Sequence, residues 1–188
     1  LSTALTDYQL LITLNTKALV DVGKMQADGD DIRFLDADDC TQLSYWIESG
    51  INTTSTRIWV KVPSIPASSS KDIYLYYGND AASIASNGTN TFDFFDDFET
   101  DLSKWTVVGT PGNGSIAQDS TAYSGTYSMK LTDTSASGCV YAQVAQSFSN
   151  GFVFESAVYL GEINKVHYPF YWRATRSSAY LPWAMAAT

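Results

Sequence analysis

The stretch RIWVKVPSIPASSSKDIYLYYGN, Arg57 to Asn79, decides the fold. In its first part Ile58, Val60 and Val62 share one face while Arg57, Trp59 and Lys61 share the other, the period of two that marks a strand with one buried side. In its last part Ile73, Leu75 and Tyr77 oppose Tyr74 and Tyr76 in the same way. Between the two runs, Pro63 to Ser70 reads as a loop, because Pro63 and Pro66 cannot donate to a ladder. Two readings stand for the second face. Either Trp59, Tyr74 and Tyr76 form one aromatic patch on it, or it packs against the second half of the chain.

Working outward, short strand patterns recur between turn residues. Tyr8 to Leu14, Ile32 to Leu35 and Leu43 to Glu48 are apolar or alternating runs, and Lys17 to Met25 is the best place for a brief helical turn. No amphipathic pattern of ten or more residues intervenes, so the sequence predicts an all-β protein of two antiparallel β-sandwich, jelly-roll-like units. The small, polar segment Ala81 to Asn90 divides them into residues 1–90 and 91–188.

Six aspartates crowd Ala27 to Asp39. A helix-loop-helix calcium loop starting at Asp28 would need an oxygen ligand where Ile32 stands, and one starting at Asp36 would need it where Cys40 stands. Two readings remain: turns on either side of a strand, or a surface cation site.

The net charge of −9 is spread over both halves, with 11 acids against 6 bases in residues 1–92 and 9 against 5 in residues 93–188. No lysine or arginine cluster exists, which argues against nucleic acid as a partner. Low charge with abundant serine, threonine, glycine, asparagine and tyrosine leans towards an extracellular, secreted or cell-surface protein. No run reaches the ~18 apolar residues of a membrane span. Cys40 and Cys139, 99 residues apart, are a candidate disulfide between the halves. The triplets beginning at Asn52, Asn87 and Asn113 are candidate glycosylation sites in turn-like stretches.

The segments LTDYQLLITLNT, GKMQADGDDIRFLDADD, LSYWIES and IWVKVPSIPASSSKDIYLYYGN, spanning about residues 5–90, resemble DUF2341, a domain of unknown function from bacterial and archaeal surface proteins. The resemblance implies a small β-sandwich set beside lectin-like and carbohydrate-binding domains in large extracellular proteins. It implies no activity and assigns no catalytic residue.

The second half, with Asp96-Asp97-Phe98-Glu99, Trp105 and the run Ser124 to Leu131, resembles jelly rolls of the concanavalin-like and carbohydrate-binding-module type. That resemblance implies a structural calcium held by Glu99, with Asp97 as a weaker ligand and Gly125 or Thr126 as carbonyl donors. The last strand of that pattern should add a carboxylate, and LPWAMAAT has none. Late aromatics, Tyr168, Tyr171, Trp172, Tyr180 and Trp183, are candidates for stacking on a glycan and Arg173 for donating to its hydroxyls, although strand alternation also turns part of them inward. A glycosidase needs two carboxyls across a cleft; Glu155 has no second acid two residues on, and no serine-hydrolase turn occurs, so the chain reads as no enzyme. The reading is a non-catalytic recognition or adhesion module that binds a glycan or cell-surface polymer. Its rival is a structural subunit of a surface filament or layer. The chain opens without the strand expected before LTDYQ, which predicts sheets completed by further parts of the protein or by self-assembly through strand edges.

Overall fold

The computed structural model describes residues 2–109, 113–134, 140–147 and 155–158. The chain forms two compact units, Leu1–Phe148 and Ser149–Thr188, and every element below belongs to the first.

One sheet contains β1 (Leu5–Leu14), β5 (Thr56–Ile65) and β4 (Tyr45–Ser49), in that order with β5 central. A second contains β3 (Gln42–Leu43), β2 (Arg33–Leu35) and β6 (Tyr74–Tyr76), with β2 central. Two-stranded ladders follow: β8 (Gly114–Asp119) with β9 (Ser128–Asp133), and β7 (Thr106–Val108) with β10 (Tyr141–Gln143). All pairings are antiparallel. Among the described residues helix is confined to two four-residue turns, α1 (Lys17–Val20) and α2 (Gly88–Thr91), so the all-β expectation holds.

The alternation that predicted β5 is what builds the core. Thr56, Ile58, Val60 and Val62 are buried, and Ile58 and Val60 join Tyr45 from their own sheet with Phe34 and Leu43 from the other. Both three-stranded sheets therefore bury their apolar rows in one cluster, at about 1.5–3 kcal/mol for each fully buried aliphatic side chain. Tyr45 stays inside because its hydroxyl donates to the Ile32 carbonyl at 2.7 Å.

Pro63 lies within β5 rather than in a loop. Beyond Val60 no residue of β4 is paired with β5, so among the described residues the strand is paired at Pro63's end with β1 alone and the missing N–H breaks no central ladder. Residues Leu43 to Glu48 are not one strand. The chain leaves the second sheet after Leu43 and enters the first at Tyr45.

The patch expected from Trp59, Tyr74 and Tyr76 does not form, because Trp59 stands in one sheet and the tyrosines in the other. Trp59 pairs across the ladder with Trp46, and Phe92 covers both, with ring centroids 5.7 and 5.8 Å away. Phe95 lies against Trp46 at 4.8 Å. Trp59 is thus packed by residues of the second half, as the other of the two readings had it, while Tyr74 and Tyr76 stay exposed. The segment Ala81 to Asn90, read as a linker, is bonded down: Ser86 Oγ accepts from Ile47 N at 2.8 Å, and Asn87 N donates to the Tyr45 carbonyl at 2.7 Å.

Candidate functional site

The second sheet turns an exposed face away from the core. On β6, Leu75 opposes the buried Phe34 and packs on the core, while Tyr76 opposes Arg33 and Tyr74 opposes Leu35. Alternation then sets Tyr74 and Tyr76 side by side on the outer face, 42% and 46% exposed, with Leu35 and Gln42 continuing the row. Neighbouring same-face residues on a strand stand roughly 7 Å apart, which places two phenol rings beside one another.

The aspartates of the opening turns hold this strand at both ends. Asp31, 2% exposed, accepts from Gln26 N at 3.1 Å and from Gly78 N, just past β6, at 2.6 Å. Asp36 pairs with Lys71, just before β6, at 2.8 Å, with both side chains largely covered. The Lys71 hydrogen bond, helped by the Ala37 N–H, keeps the Asp36 carboxyl below the ordinary aspartate value. Asp39 accepts the Tyr76 hydroxyl at 2.5 Å, and that bond pushes the phenol up. Asp38 spends its carboxylate on Thr41 and on the N–H of Cys40, closing the turn. The aspartate-rich stretch is therefore turn chemistry, and three of its carboxylates reach across to β6 or its flanks. Among the described residues no group of three or more metal-ligating side chains forms.

Arg33 does not stand free beside the tyrosines. Its guanidinium donates to the carbonyls of Asp30, Ile32 and Ser83, tying β2 to the segment after β6. What the face offers is two apolar ring surfaces, one of them oriented by its own hydroxyl. That suits ligands with flat C–H faces more than ions.

The structure brings Glu99, Gly125 and Thr126 together. Glu99 Oε1 accepts from the N–H of Thr126 at 2.8 Å and of Tyr127 at 2.9 Å, and these bonds, Tyr127 first, hold its carboxyl low. Gly125, at φ +71°, leaves the space: a Cβ there would stand 2.3 Å from Glu99 Oε1. A turn that presents N–H groups to a carboxylate is a latch for an anion. Asp97 is exposed, with one long bond to Glu99 N at 3.3 Å.

The carboxylate that the sequence reading passed over is Asp96, its side chain 6% exposed, which accepts the Trp105 indole N–H at 2.7 Å and lies 3.6 Å from Lys104. Phe98, at φ +63°, makes the bend that lets Asp96 and Glu99 serve different partners. Cys40 is exposed, while its proposed mate Cys139 lies outside the described residues. So do Tyr168, Tyr171, Trp172, Arg173, Tyr180 and Trp183. Glu155 is exposed, in a stretch without strand or helix.

Fold and site together define an antiparallel all-β domain that displays a tyrosine-bearing sheet face. The family described as domain of unknown function (DUF2341) matches residues 28–108, less than half of the 188-residue chain. The matched span includes the aspartate turns, β6 and the Phe92 and Phe95 contacts, and it extends past the polar segment Ala81 to Asn90 into β7. No curated protein and no solved structure matches the chain.

Proposed function

We propose that this chain is a non-catalytic recognition module of a secreted or cell-surface protein, and that it binds glycan. The observation that carries the reading is the pair Tyr74 and Tyr76, exposed on one face of β6 while Leu75 between them packs on the core. Sugar rings stack their apolar C–H faces on such side chains, and the Asp39 bond to Tyr76 lowers the ordering cost of binding by holding one ring in place. The jelly-roll resemblance of residues 91–188 and the late aromatics Tyr171, Trp172 and Trp183 support a second contact surface of the same chemistry. A glycan array probed with the purified chain tests the proposal. Binding that drops at least about tenfold in Tyr74→Ala or Tyr76→Ala supports the β6 face, and binding lost only in Trp172→Ala or Trp183→Ala moves the site to the C-terminal aromatics. Binding to no glycan refutes the reading.

One observation favours the rival, a structural subunit. β1 is ten residues long and borders its sheet, paired on one side only among the described residues. Such an edge accepts a strand from another chain. Sedimentation of the chain over a concentration series, with ordered polymers sought by electron microscopy, separates assembly from recognition.

A further inference from the structure

We propose that Asn87 is the N-glycosylation site of this chain and that its first sugar lies in an uncharged cleft beside it. Three Asn-X-Ser/Thr triplets are present, and their surroundings differ. Asn52 sits at φ +57° in a tight turn, its N–H bonded at 3.0 Å to the buried Thr16 hydroxyl and its amide oxygen buried without a partner. A sugar on that amide would have to leave from a side chain whose oxygen is already buried. Asn113 opens β8, its carbonyl held by Thr134 N at 2.8 Å, and the following Gly114 is pressed on Val140 so closely that a Cβ would lie 2.1 Å from it.

Asn87 shares with Asn113 a held carbonyl and a following glycine pressed on a side chain, but it differs from both other sites in exposure. It is exposed and in extended conformation, its backbone is pinned through Tyr45, and its amide oxygen caps Asn90 N at 2.9 Å. The oxygen thus does the structural work, and substitution on Nδ2 leaves that bond intact. Thr89, which completes the triplet, is exposed as well.

Beside Asn87 a cleft of about 170 Å³ is lined by Gln42, Leu43, Ser44, Ala85, Asn87 and Asn90. None of these side chains is charged. Amides and a hydroxyl both donate and accept, as sugar hydroxyls and an N-acetyl group do. The volume is below the ~300 Å³ at which pockets for drug-sized ligands begin, which matches one pyranose ring better than an extended oligosaccharide. In the modification itself, Asn87 Nδ2 bonds to C1 of a sugar carried on a polyprenyl phosphate donor. The C1–O bond to phosphate breaks, the lipid phosphate leaves, and Nδ2 gives up one proton. This site shares Gln42 with the row that carries the tyrosines, but it uses neither Tyr74 nor Tyr76.

The test is secretion of the full chain from a eukaryotic host whose transferase reads Asn-X-Ser/Thr, followed by enzymatic deglycosylation in heavy-oxygen water and peptide mapping. Asn87 is expected to be occupied in most molecules, and to be bare in Thr89→Ala, which keeps the Asn87 cap. The glycoprotein should melt about 2–4 °C above Thr89→Ala, the shift that corresponds to one modest contact in a chain of this size. Gln42→Ala should remove most of that difference. Secreted protein with Asn87 bare, or with Asn52 or Asn113 occupied to the same extent, overturns the assignment. Occupied Asn87 with no difference in melting overturns the place of the sugar.

Discussion

Removing the Asp31 carboxylate should loosen the strand that carries the tyrosines, and the size of the effect follows from its two bonds. The side chain is 2% exposed and accepts backbone N–H groups of Gln26 and Gly78. Hydrogen bonds to a charged group are worth about 1.5–3 kcal/mol each, and both donors here are only partly buried, so the lower end applies. Asp31→Ala should therefore cost about 3 kcal/mol. Asp31→Asn should cost about 2 kcal/mol, since it keeps one acceptor but turns an NH₂ towards the other N–H. For a chain of this length about 3 kcal/mol corresponds to a drop in Tm of roughly 6–12 °C. Urea unfolding followed by tryptophan fluorescence gives the number, provided the slope with denaturant is unchanged. The control is Asp28→Ala, an exposed carboxylate with one local bond to Asp30 N, which should stay within about 0.5 kcal/mol of the parent. An Asp31→Ala protein as stable as Asp28→Ala would refute the claim that this carboxylate joins the first turn to the end of β6.

Acid should destabilise the fold through the bonded carboxylates. Asp36 and Asp38 are held below 3.8 by the Lys71 and Thr41 bonds, and Glu99 below 4.5 by the Tyr127 and Thr126 N–H groups. With the folded value depressed, their contribution is complete above those ordinary values and is lost as pH falls through the folded ones. Urea midpoints measured between pH 6 and 2 should fall below about pH 4, and less steeply in Asp36→Asn. Gly88→Ala pits two effects against each other: alanine gains about 1 kcal/mol as a helical residue, but its Cβ would stand 2.4 Å from the Phe95 ring, an overpacking worth about 1–3 kcal/mol. Net destabilisation with altered tryptophan emission is the expected outcome, and a stabilised protein would contradict the packing of Phe95. Glu99→Ala should speed amide exchange at Thr126 and Tyr127 roughly three- to tenfold, as loss of a modest hydrogen bond requires, with no change at Phe34.

The core was legible wherever a period of two met a single buried face. Ile58, Val60 and Val62 read inward from the sequence and are buried in the structure. The break at Ser44 was not legible, because Leu43 and Tyr45 both point into the core from different sheets and keep the alternation unbroken across the switch. Ala81 to Asn90 looked like a linker for a related reason. Small polar residues compose both free linkers and segments that bond to a strand edge, and only the pairing of Ser86 and Asn87 with β4 tells them apart. The turn role of the aspartates was one of two readings the sequence left open, and their reach to Lys71, Tyr76 and Gly78 spans 35 to 47 residues and leaves no local trace. The Glu99 latch was half legible. Glu99 meets the turn at Thr126 and Tyr127, but N–H and carbonyl belong to the same backbone, and the sequence does not say which one faces the carboxylate.

The central claim is that β6 displays a sugar-binding face, and the most direct measurement is a heteronuclear NMR titration of the ¹⁵N-labelled chain with the best ligand from the array. Shifts confined to Tyr74, Tyr76, Leu35 and Gln42, abolished in the Tyr74→Ala/Tyr76→Ala double variant while its core resonances stay in place, are the predicted result. Saturable binding that leaves those four residues unmoved would contradict the account.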